Sequence, residues 1–74
     1  MQKRWFIVEL GRAIQPMACK LLITQVGITR ATAGVLVRTM IEQGTPIPLP
    51  GDLRPEVRRD LIEAGLVLAE VRAA

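Results

Sequence analysis

The hydrophobic residues of this chain follow two periods, and the period changes at glycines and prolines. Trp5-Phe6-Ile7-Val8-Glu9-Leu10 is almost entirely aromatic, β-branched or aliphatic and is followed by Gly11, the composition of a strand and its stop. A period of two places Phe6, Val8 and Leu10 on one face and Trp5, Ile7 and Glu9 on the other. Glu9 belongs in water, which assigns Trp5 and Ile7 to the outer face beside it. A slip of one residue would exchange the two faces.

After a loop over Arg12 to Gln15 the spacing changes to three and four. Pro16 suits a first helical turn, where a missing amide hydrogen costs nothing. Met17, Ala18, Leu21, Leu22 and Val26 then form one apolar stripe, with Lys20 and Gln25 outward and Gly27 as the stop. The pattern restarts at once: Ala33, Leu36, Val37, Met40 and Ile41 share one face of a helix predicted over 30–43. Thr29 is placed to cap its first turn and Gly44 to close its last. Gly34, inside this helix, marks either the close approach of another backbone or a tolerated outward position. Two helices joined by so short a turn must pack as a corner or hairpin.

Thr45-Pro46-Ile47-Pro48-Leu49-Pro50 alternates proline with apolar residues. Proline donates no ladder hydrogen bond, so this segment is an edge strand with Ile47 and Leu49 inward, or a polyproline-type loop. Its place between two helices favours the edge strand. Gly51-Asp52 makes a turn, Asp52 is a candidate N-cap and Pro55 lies in the first turn of a third helix. Val57, Leu61 and Ile62 form its apolar stripe, Arg58, Arg59, Asp60 and Glu63 its outer face, and Gly65 its stop. Leu66 to Arg72 alternates as a last strand. With Glu70 outside, Leu66 and Leu68 would join Trp5 and Ile7 in an exposed apolar strip, a surface that suggests docking. The economical fold is α+β in two layers: a three-stranded antiparallel sheet with three helices on one face, in the order β-α-α-β-α-β.

Composition sharpens this picture in three ways. Seventy-four residues form one domain whose half-hydrophobic composition supplies an aliphatic core, with Trp5 and Phe6 the only aromatic residues. A core this small favours an oligomer or a partner-bound state, a homodimer included. The charge is uneven: residues 1–41 carry six bases (Lys3, Arg4, Arg12, Lys20, Arg30, Arg38) and one acid, a net +5, whereas 42–74 carry a net −2. A positive first half attracts phosphates or an acidic protein surface, or serves only to keep a small domain soluble. The chain has no His, Ser, Tyr or Asn and a single Cys19, so it can assemble neither a nucleophile–base pair nor a Cys/His metal set. The carboxylate pairs Asp52/Glu56 and Asp60/Glu63 fall at a helix start and on a solvated face, where capping and solubility explain them. The expectation is therefore a protein with no catalytic residues, cofactor, metal or small-molecule substrate. No apolar run approaches the roughly 20 residues of a membrane span, and a lone thiol agrees with the cytoplasm.

Two local patterns resemble known families. Gly27-Ile28-Thr29-Arg30-Ala31-Thr32-Ala33-Gly34-Val35-Leu36-Val37-Arg38 resembles the turn and recognition helix of bacterial helix-turn-helix repressors. That resemblance implies DNA binding, with Thr29, Arg30, Thr32 and Arg38 approaching bases and phosphates. The element order, together with Met40-Ile41-Glu42-Gln43-Gly44 and Arg58-Arg59-Asp60-Leu61-Ile62-Glu63-Ala64-Gly65 leading into a closing strand, is similar to the C-terminal domain of the bacterial ribosomal stalk protein and to the Clp protease adaptor fold. Domains of that kind dock onto large machines and catalyse nothing. In size, basic first half and lack of catalytic groups the chain is also similar to small phage-encoded regulators that bind RNA polymerase. The favoured expectation is a regulator or adaptor docking on the transcription apparatus, RNA polymerase first. It would use Lys3, Arg4, Arg12 and Lys20 with the strip Trp5, Ile7, Leu66 and Leu68. Direct nucleic-acid binding is the alternative.

Overall fold

In a computed structural model the structure describes residues 3–72, and the chain forms an α+β domain in the expected order. Strand β1 (Lys3–Glu9) is central, flanked antiparallel by β2 (Ile47–Pro48) and β3 (Val67–Arg72), so the sheet order is β2-β1-β3. Helices α1 (Gln15–Leu21), α2 (Arg30–Gln43) and α3 (Pro55–Glu63) supply Ala18, Ala33, Val37, Met40 and Leu61 to one buried cluster, which the sheet completes with Ile7 and Ile47.

The helix boundaries follow the capping chemistry. Thr29 accepts from the Thr32 amide at 3.3 Å and Gly44 closes α2 in the left-handed conformation, so α2 spans the residues its pattern predicts. A π-helical turn, Leu22–Val26, prolongs α1 to Gly27. There the Thr24 hydroxyl donates to the Lys20 carbonyl (2.8 Å), a side-chain partner at the point where the ladder widens. Asp52 does not cap α3. The turn closes early, with the Leu53 amide donating to the Pro50 carbonyl, and α3 begins at Pro55 behind Arg54 with no side-chain cap. The helix stripes are narrower than predicted: Ile41, Ile62 and Met17 lie exposed at their edges.

Two glycine backbones lock the sheet to the helical layer. The Arg12 amide donates to the Gly65 carbonyl (3.1 Å), and a Cβ at Gly11 would lie 2.1 Å from that oxygen. A Cβ at Gly65 would in turn press on Arg12 and Ala13, and both glycines have positive φ. Gly34, by contrast, faces open space, so no backbone packs against it.

Urea denaturation distinguishes these sites. Gly11→Ala should cost roughly 3 kcal/mol, since it adds a backbone collision to a left-handed conformation. Gly34→Ala should gain about 0.5–1 kcal/mol by removing glycine's helix penalty. A harmless Gly11→Ala or a destabilising Gly34→Ala would contradict these packing assignments.

Candidate interaction surface

The two faces of the sheet are decided at Val8. Along β1, Ile7 pairs with Leu68 and Glu9 with the next residue of β3, Val67, so β1 carries a bulge at Val8 while β3 runs straight. An extra residue reverses the alternation. Before the bulge the odd positions point inward: Ile7 is 1% exposed and Trp5 packs against the core. After it Glu9 is exposed and Leu10 turns to the core.

The expected outer strip of Trp5, Ile7, Leu66 and Leu68 is thereby corrected. Leu66 is 3% exposed and Leu68 lies against the core across from Ile7. An exposed Glu9 assigns Trp5 and Ile7 to solvent only in a strand without a bulge. Glu70 shares the inward parity of Leu68 but sits opposite Trp5 and is exposed. Trp5 is half-buried, with the Arg58 guanidinium over its ring at 4.5 Å from the centroid. Arg58, expected to be solvated, thus covers the ring by its planar cation.

The face turned away from the helices carries the other set. Phe6 lies in register between Pro48 and Ala69, and Arg4 lies opposite Val71. Phe6, Val8 and Ala69 are half-exposed and stand outside the core cluster, while Val67 and Val71 are 41% and 53% exposed. No helix among the described residues covers this apolar face, and Arg4 supplies a cation on it. A cleft of about 400 Å³ lined by Val8, Glu9, Leu10, Met40, Ile41 and Gly44 lies between the end of β1 and the end of α2. Strand alternation puts Phe6 on the face opposite Ile7, but which of the two faces is buried depends on the tertiary structure.

The remaining predicted cations stay on the surface but do not gather at one point. Arg12 lies in the turn after β1, Lys20 in the last turn of α1, and Arg30 and Arg38 on α2, all exposed and without an ion pair among the described residues. Lys3 pairs with Arg72 in the β1–β3 register, and its side chain lies outside the described set.

The helix-turn-helix element is present as α1, its π-helical extension, the Gly27–Thr29 turn and α2. Its chemistry for reading bases is thin. The Thr29 hydroxyl is occupied as a cap, accepting from the Thr32 amide and donating to the Thr32 hydroxyl at 2.8 Å. At 100° per residue Arg30 and Thr32 point to opposite flanks, whereas Ala31, Val35, Arg38 and Glu42 fall along the middle of the outer face. Val35 is 57% exposed there, and Glu42 would meet phosphate with the wrong sign. Cys19 is half-buried against the core, and no group of three or more His, Cys, Asp or Glu capable of holding a metal occurs among the described residues. No helix among those residues is long and apolar enough to cross a membrane.

No protein-family model, curated protein or solved structure matches this chain.

Two substitutions check the roles assigned to polar side chains. Thr29→Ala should lower stability by about 1 kcal/mol through the lost cap. Arg58→Ala should cost about 0.5–1 kcal/mol and change the emission of Trp5, the only tryptophan, by uncovering its ring. Unchanged stability and fluorescence in the second variant would show that the stacked pair contributes nothing.

Proposed function

We propose that this protein is a small adaptor or regulator, without catalytic function, that docks on a large macromolecular assembly through the outward face of its sheet. One observation carries the reading: Phe6, Ala69, Val67 and Val71 form an apolar face beside Arg4 that no helix among the described residues covers. Uncovered apolar area of this kind is stabilised by a partner, and the net positive charge of the first half speeds encounter with an acidic one. The positive first half favours the transcription apparatus, with RNA polymerase the preferred assembly and the cytoplasm the matching compartment. The resemblance to the stalk-protein and Clp-adaptor domains, carried by the β-α-α-β-α-β order, supports docking in preference to catalysis.

Direct DNA binding through α2 is the second reading, favoured by the capped helix after a glycine turn. The apolar and acidic positions in the middle of α2 weigh against it.

Purified RNA polymerase immobilised on a sensor tests the first reading. Wild type should bind, Phe6→Glu should bind at least about tenfold more weakly, as expected for loss of a central aromatic anchor, and Val35→Glu on α2 should bind as wild type does. Absence of binding by the wild type would remove RNA polymerase as the partner, and equal binding by Phe6→Glu would remove the sheet face. Duplex DNA at low and moderate salt tests the second reading. A retarded complex that weakens steeply with salt and is lost in Arg38→Glu would establish DNA binding, and no complex at low salt would exclude it.

A further inference from the structure

The two edges of the sheet are unequal. The β2 edge is only two residues long and is set among Pro46, Pro48 and Pro50, whose nitrogens donate no hydrogen bond; such an edge resists another strand. The β3 edge runs for six residues, VLAEVR, without proline, glycine or lysine, and the bulge lies on β1, so β3 stays straight. Proline, lysine and a bulge, three of the devices that protect an edge, are absent from it, and its charges are confined to Glu70 and Arg72.

We infer that β3 pairs antiparallel with β3 of a second copy of this chain, about a two-fold axis at Ala69, to give a continuous six-stranded sheet. The choice of occupant rests on self-complementarity. A two-fold axis perpendicular to the sheet keeps outward side chains opposite outward ones and puts one residue against its own copy. Glu70 at that point would face a like charge, whereas Ala69 meets a small apolar partner. With Ala69 on the axis, Val67 stands opposite Val71 of the other copy, and the reverse pair repeats it. Both exposed valines of β3 thereby gain cross-strand neighbours, and Leu68 stands opposite Glu70. The joined sheet ends at both sides on the proline-protected β2, so assembly stops at two chains. Pairing of a single edge buries less than the ~1,600 Å² of a standard interface, so the dimer is weak and reversible. The pairing is separate from docking by the outward face, since it consumes the edge and leaves Phe6 uncovered.

Sedimentation across micromolar to millimolar concentrations of the whole chain tests the pairing, with far-UV circular dichroism confirming that each variant is folded. Wild type should show a monomer–dimer equilibrium. Val67→Lys with Val71→Lys sets lysine against lysine twice and should weaken the dimer about tenfold or more. Val67→Lys with Val71→Glu sets lysine against glutamate of the other copy twice and should restore it. A wild type that remains monomeric at millimolar concentration overturns the inference, as does an undiminished dimer in the double-lysine variant. Failure of the lysine–glutamate variant to recover overturns the Ala69-centred pairing. Both charged surfaces lie on the exposed side of β3, so neither variant disturbs the buried core.

Discussion

The structure depends on one row of side chains across the sheet. Ile7 of the central strand stands directly between Ile47 and Leu68, and these three aliphatic residues form the floor on which the helices rest. Without that row the sheet has no buried face. Burying a side chain of this size removes about 1.5–3 kcal/mol worth of apolar surface from water, and at this row all three strands contribute an inward aliphatic residue. The bulge at Val8 follows from it: the chain must keep Ile7 and Leu10 both inward although they differ in parity, and one extra residue accomplishes this.

The helical layer is fixed to that floor at its ends. At one end the Gly11 and Gly65 backbones touch, so the exit of β1 and the entry to β3 are held at a distance no side chain permits. At the other, Gly44 turns α2 into the short β2, whose Ile47 completes the row. The helix hairpin between these points is set by local chemistry, with Gly27 turning the chain and Thr29 starting α2. What looks like a DNA-reading element in sequence is therefore explained in large part as capping and packing, and the Thr29 hydroxyl is already committed.

The surface consequences come from having only one layer of helices. A sheet covered on one side leaves its other side to water unless a partner covers it, and here that side carries Phe6, Val8, Ala69 and two exposed valines. Most antiparallel sheets place polar residues on such a face. The two edges divide in the same way, one closed by prolines and the other open. The uncovered apolar face and the open edge are the two surfaces on which the proposed docking and the proposed pairing rest.

Local chemistry in the sequence determined the element order, the span and caps of α2, the inward Ile47 and Leu49 of the proline-rich edge strand, and the pairing class of the sheet. Each of these depends on short-range rules: helical spacing, an accepting hydroxyl at a helix start, a positive φ at glycine, a missing amide at proline. Only the tertiary structure decided which face of the sheet is buried, that Arg58 covers Trp5, and that Gly11 and Gly65 meet. The reason is physical. Strand parity propagates an assignment from one residue to its neighbours only while the ladder is regular, and a single bulge reverses it. Whether β1 bulges depends on how Ile7, Ile47 and Leu68 fit beneath the helices, and contacts between residues forty and sixty positions apart leave no trace in the pattern of any one segment.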